Sequence, residues 1–236
     1  MTASLPILRQ VILGTADLAG TVAALRDHLG LAAGFGDPLV EEIGLADETI
    51  RVGAQAYLEV VAPLHADAPI NRWLAKTSGG GYGLSIQVDA IDPILARARA
   101  AGIGMAADLE AYGHRIVQLY PRDMGLLVEL DEIADPDVWF WDHIETNEPA
   151  APLVDDIIAV EFTAPDAATC AHLWSTLFAV PVFDDPVTGV PGVRLGSRTV
   201  RFCDGDELRM NRIILAAIAN TAPADIVVSG VELGIR

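Results

Sequence analysis

Gln10-Val-Ile-Leu-Gly-Thr-Ala-Asp17 decides the fold, because its pattern returns as Gly83-Leu-Ser-Ile-Gln-Val-Asp-Ala90 and as Ala159-Val-Glu-Phe-Thr-Ala-Pro-Asp166. Each stretch reads as a short strand and leads into residues with apolar side chains at three- and four-residue spacing, the period of an amphipathic helix. The helical patterns cover 18–29, 93–101 and 167–178, and Gly30 and Gly102 stand just past two of their ends, where a left-handed cap favours glycine. Short strand patterns follow, separated by Gly- and Asp-containing turns: 39–43, 49–52 and 57–62, then 115–119 and 126–130, then 193–195, 199–203 and 210–217. The repeated unit is βαβββ, and the fold class is α+β with curved mixed sheets. Residues 226–235 add one further strand, and too few residues remain for a complete fourth unit. The expected division is a paired domain over 1–132, an acidic, proline-bearing connector over 133–152, and a partial third unit over 153–236.

Composition narrows the function. The chain has 236 residues, 52% of them apolar, which is globular and excludes a disordered chain. Fifteen basic residues against thirty-three acidic ones leave a net charge of −18, a field that repels nucleic acid and anionic membrane surfaces. Lys76 is the single lysine, and neither a P-loop nor a Schiff-base reading finds support. Cys170 and Cys203 are far apart and outside any CxxC spacing, which argues against disulfides and thiolate zinc and suits a cytoplasmic protein. Arg9 and Asp17 interrupt the apolar start, so no export signal is expected, and 213–228 falls short of the roughly 20 apolar residues of a membrane span. Ser78-Gly-Gly-Gly-Tyr-Gly83 precedes a strand, the reverse of a phosphate loop, and reads as a flexible linker. Trp139-Phe-Trp-Asp-His143 reads as packing within the connector.

Strand alternation sorts the side chains. Gln10, Ile12 and Gly14 share one face, as do Gly83, Ser85 and Gln87, then Tyr57, Glu59 and Val61, then Leu127 and Glu129. If the first two units curve into a cup, these faces line it with Gln10, Glu59, Ser85, Gln87 and Glu129. Glu59 in Tyr-Leu-Glu-Val-Val and Glu129 in Leu-Leu-Val-Glu-Leu are carboxylates in apolar strands, so each demands a cation or hydrogen-bond donor. Two readings stay open: edge-exposed or Arg-paired acids, and a metal or proton-transfer site.

Three stretches then resemble a known family: Tyr57-Leu-Glu-Val-Val-Ala-Pro-Leu-His65 running to Leu74, Gly79-Gly-Gly-Tyr-Gly83 into Leu84-Ser-Ile-Gln-Val-Asp89, and Gly113-His-Arg-Ile-Val-Gln-Leu-Tyr120 running to Leu130. The family is the vicinal oxygen chelate superfamily, the glyoxalase, bleomycin-resistance and extradiol dioxygenase group, and residues 7–132 look most like methylmalonyl-CoA epimerase. The resemblance implies a divalent metal held at Gln10, Glu59, Gly83 and Glu129. Glycine at 83 removes the ligand that the family has as histidine, so the implied cofactor is Mg, Mn, Co, Ni or Zn, or none. Tyr82 and His114 are the residues nearest to replace it, and Ser85, Gln87, Tyr57, Tyr82 and His114 form the implied substrate pocket. The implied chemistry is metal-assisted proton removal next to a carbonyl, as in an epimerase, isomerase or lyase, with Glu129 and Glu59 as the catalytic acids and Glu41, Glu42 and Asp47 as further candidates. The implied substrate is a small carbonyl compound or an acyl-CoA thioester, and the implied assembly a homodimer. None of the five histidines falls at a ligand position, which speaks against the two-histidine iron dioxygenases. The alternative is a metal-free protein that binds or sequesters a small molecule, of the bleomycin-resistance type, which Gly83 favours by enlarging the cup as it removes a donor.

Overall fold

β1 (Ile7–Gly14) is buried along its whole length between two strands, its polar members Arg9 and Gln10 included. In the computed structural model, which describes residues 4–144 and 151–236, it leads into α1 (Leu18–Leu29), capped by the Asp17 carboxylate on the Gly20 N–H and closed by left-handed Gly30. The chain continues through α2 (Pro38–Glu42), β2 (Leu45–Val52), β3 (Ala56–Pro63) and α3 (Asn71–Thr77). The second repeat holds β4 (Gly80–Val88), α4 (Asp92–Ala100), β5 (Met105–Ala111), β6 (His114–Leu119), α5 (Pro121–Met124) and β7 (Leu127–Glu132). The third holds β8 (Val154–Ala164), α6 (Ala167–Phe178), β9 (Val182–Asp184), β10 (Pro191–Leu195) and β11 (Arg198–Asp204), and the chain closes with β12 (Arg209–Ala217), β13 (Ala224–Val228) and β14 (Val231–Ile235). Residues 145–150 of the expected connector lie outside the described residues.

Two open mixed sheets result, each of seven strands, ordered β2-β3-β1-β4-β7-β6-β5 and β13-β14-β12-β8-β11-β10-β9. One wiring recurs four times: the first strand of each repeat runs parallel to its last, β1 with β3, β4 with β7, β8 with β11, and β12 with β14. The glyoxalase-like α+β class expected from the repeats is therefore present. Two local expectations change. Residues 39–43, read as a strand, fall mostly in helix α2, because Pro38 presets the first turn and Asp37 caps it by accepting the Leu39 N–H. In place of that strand, Phe35 makes one isolated bridge to Thr49. Residues 226–235, read as one strand, belong to the hairpin β13–β14, whose two-residue turn at Ser229 and Gly230 has positive φ at both positions. With β12 this hairpin repeats the β1–β2–β3 pairing without a helix.

Contacts divide the chain into two compact units, and each has its own core. One comprises Met1–Arg9, Gly83–His143 and Ile158–Met210. In it α4 packs on α6, and Phe162, Trp174, Phe178 and Phe202 form a ring cluster with centroids 5.5 to 5.9 Å apart. The other comprises Gln10–Tyr82, Ile144–Ile157 and Asn211–Arg236. Here α1 buries Val22, Leu25 and Leu29 and touches β2, β3 and β13, so one helix serves the first repeat and the helix-less last one. Gly79 is not a loose linker: it has φ +115°, and an added Cβ would lie 2.8 Å from Ser229 Oγ. Among the described residues no helix is long and apolar enough to cross a membrane.

Candidate functional site

In the unit holding Gln10–Tyr82, register brings Gln10 beside Tyr57 and Ile12 beside Glu59, while β2 places Thr49 opposite Glu59 and Asp47 opposite Val61. Parallel and antiparallel partners share a face, so these side chains form one patch. Gln10 Nε2 donates to Glu59 Oε2 at 3.0 Å, and both residues are buried. Tyr57 is fully buried, with the Arg51 guanidinium 5.3 Å from its ring centroid. Beyond Glu59 the patch turns apolar: Ile12 and Val61 pack with Leu45 and Ile70 under Trp73 and Tyr82, whose rings meet edge-on at 5.1 Å. Gly14 is required there, because a Cβ would lie 2.5 Å from the Trp73 ring.

Two groups in this patch titrate unusually. Burial, reinforced by the Glu59 charge, pushes the Tyr82 hydroxyl above the usual phenol range. Asp47 is pushed up to about 7: desolvation raises it and outweighs the Asp37 N–H, and the charges of Asp37, Glu41 and Glu48 raise it further. Both Asp47 oxygens accept that N–H, at 3.1 and 3.0 Å, so the carboxyl sits at the entry to α2 with a fixed orientation.

The other unit places Ser85 beside Glu129 and Gln87 beside Asp131 on β4 and β7, with Gln118 of β6 opposite Glu129. Gln118 Nε2 donates to Glu129 Oε2 at 2.8 Å, and the buried Ser85 hydroxyl donates to Asp131. Two residues expected in a substrate pocket serve the following segment. Gln87 accepts from Arg9 Nε at 2.7 Å and donates to the Ile133 and Asp135 carbonyls. Arg9, itself buried, donates to the Pro136 carbonyl at 2.6 Å and lies 5.6 Å from the Trp139 ring centroid. His114 Nδ1 lies 3.1 Å from the Glu132 carbonyl oxygen, and its ring meets Phe140. The aromatic cluster of 139–141 is packed, with Trp139 and Trp141 buried.

The positions that the resemblance assigns to a divalent metal do not fit one on their donor chemistry. Gly83 supplies no side chain, and one oxygen each of Glu59 and Glu129 is already taken by an amide N–H, from Gln10 and Gln118. Among the described residues no group of three or more His, Cys, Asp or Glu converges to hold an ion.

A third set of polar residues was not singled out in the sequence. Glu161 of β8 pairs in register with Arg201 of β11, whose guanidinium reaches Glu161 at 3.4 Å and Asp185 at 2.9 Å. Asp185 is held below the usual carboxylate range, first by the Thr188 backbone N–H, with Arg201 adding to it. The signal was present, since Ala-Val-Glu-Phe-Thr has the same acid-in-apolar-strand pattern as Glu59.

No protein-family model matches the sequence, and no curated relative does. Solved structures do match. A hypothetical protein from Staphylococcus aureus is similar at TM-score 0.68 and 10% identity, over 98% of this chain and 99% of that one. A variant of 4-hydroxymandelate synthase from Streptomyces coelicolor is similar at TM-score 0.67 and 17% identity, over 92% of this chain and 72% of that one. Methylmalonyl-CoA epimerase from Mycobacterium tuberculosis matches at TM-score 0.47 and 26% identity, over 56% of this chain and 91% of that one.

Proposed function

We propose, for a chain whose fold is that of the vicinal oxygen chelate superfamily, an enzyme that moves a proton on a carbon next to a carbonyl group without help from a metal. The observation that carries this reading is Asp47: a carboxyl held at about 7 on a strand face that also bears Glu59. A general base works best when its pKa lies near the working pH, since it is then both ionised and basic enough to accept a proton. Asp47 and Glu59 stand diagonally across β2 and β3, where residues are about 7–8 Å apart, so the two acids are neighbours on one face. Tyr82, kept protonated by burial and by the Glu59 charge, is the donor for a developing enolate oxygen. Glu129, in the other unit, is a separate candidate acid, held by Gln118 as Glu59 is by Gln10. The substrate class proposed is a small carbonyl compound or an acyl-CoA thioester.

The test is deuterium incorporation from heavy water into a panel of small dicarbonyl compounds and short acyl-CoA thioesters, with the full chain kept in chelator. Protein-dependent α-deuteration is expected to survive the chelator, to rise with pH through about 7, and to fall about a hundredfold or more in Asp47→Asn. Glu59→Gln and Glu129→Gln are expected to lower it while keeping the fold. Equal rates in wild type and Asp47→Asn would remove the base. The amide-held acids and Gly83 favour a second reading, a metal-free binding protein, and saturable binding of a panel member with no deuteration would select it.

A further inference from the structure

Away from the strands that carry Glu59 and Glu129, a cavity of about 320 Å³ opens beside the third repeat. Its walls are Leu5, Pro6, Val180, Pro181 and Phe183, with Arg194 as the charged member of the lining. The volume falls in the range of small-ligand sites, roughly 300–1,000 Å³, and apolar walls with a few placed polar groups are their usual composition. Strand alternation explains how an arginine comes to stand there. In β10 Val193 and Leu195 are buried, which turns Gly192 and Arg194 to the other face. Phe183 of β9 is the register partner of Gly192, a residue whose own side chain would run into the Val200 carbonyl oxygen at 2.5 Å. With no side chain at 192, the Phe183 ring and the Arg194 guanidinium meet directly, 5.4 Å from guanidinium carbon to ring centroid.

Stacking on a ring fixes the plane of a guanidinium and leaves its N–H edge for a ligand. Arg201, on the next strand, spends its edge on Glu161 and Asp185. Among the described residues Arg194 has the ring contact and no ion pair. In a chain of net charge −18, an arginine without an acid beside an apolar cavity selects for an anion with an apolar body. One guanidinium balances one negative charge, and the surrounding field penalises a second, so a carboxylate fits better than a phosphate. We propose that this cavity binds a small monocarboxylate with an aliphatic or aryl body, its carboxylate on Arg194 and its body against Phe183, Val180 and Pro181.

The experiment is an amide-detected NMR titration of the full chain with 3-phenylpropionate and with its neutral analogue 3-phenylpropan-1-ol. Saturable shifts at Val180, Phe183 and Arg194 are expected with the carboxylate, and binding of the alcohol about tenfold weaker or worse. Arg194→Met is expected to weaken the carboxylate about tenfold and leave the alcohol unchanged, which separates loss of the charge from damage to the cavity. Added salt is expected to weaken the carboxylate alone. Equal affinities for acid and alcohol, an unchanged affinity in Arg194→Met, shifts that map elsewhere, or no saturation by about 10 mM would each overturn the proposal.

Discussion

At Asp47, burial and hydrogen bonding pull in opposite directions and burial wins. The sign of the pH effect follows. The unfolded carboxyl ionises near 3.8 and the folded one near 7, so between these values the folded chain holds the proton that the unfolded chain has lost. Stability therefore falls as pH rises through that window, and Asp47→Asn, which accepts the Asp37 N–H without ionising, escapes the loss. The melting temperature of Asp47→Asn relative to wild type is expected to climb from pH 4 to pH 8, as measured by calorimetry; a constant difference would contradict it. Glu59 shows how far such a residue is legible beforehand. An acid in an apolar strand announces that it needs a partner, and alternation places Gln10 on the same face. That the two side chains meet depends on the register of β1 against β3, which joins residues far apart in sequence. Gln87 marks the limit: alternation puts it beside Ser85, but its amide holds carbonyls of the segment after β7, and no local pattern marks that return.

At the scale of elements, the repeated strand-to-helix opening was readable because period and caps agree, with Asp17 and Asp166 both accepting backbone N–H groups at the starts of α1 and α6. α2 escaped because five residues are too few to show a helical period, and Pro38 after Asp37 was the available sign. The glycine run before β4 misled in a different way. Gly79 is glycine because its backbone lies in a region closed to other residues and packs against Ser229, not because the segment must bend. Gly79→Ala is expected to cost about 1–3 kcal/mol in denaturant unfolding, while Gly81→Ala, where φ is not positive, costs under about 1 kcal/mol. Equal costs at the two positions would show that φ is not what selects glycine at 79.

Over the whole molecule, four repeats of one parallel first-to-last pairing account for both sheets, and three of the four openings could be seen in the chain. The fourth repeat, β12–β13–β14, lacks the helix that made the others visible. Its hairpin packs on α1, a contact between the two ends of the chain that no short pattern encodes. The net charge of −18 acts everywhere and disfavours polyanionic partners, whereas at Asp47 burial and the nearby charges of Asp37, Glu41 and Glu48 keep the proton on. The proposed chemistry rests on the burial of Asp47, which holds its carboxyl at about 7. It is tested most directly by following the Asp47 side-chain carboxyl carbon by NMR across a pH titration of the full-length protein. A midpoint near 7 is expected. A midpoint near the ordinary value of about 4 would contradict it.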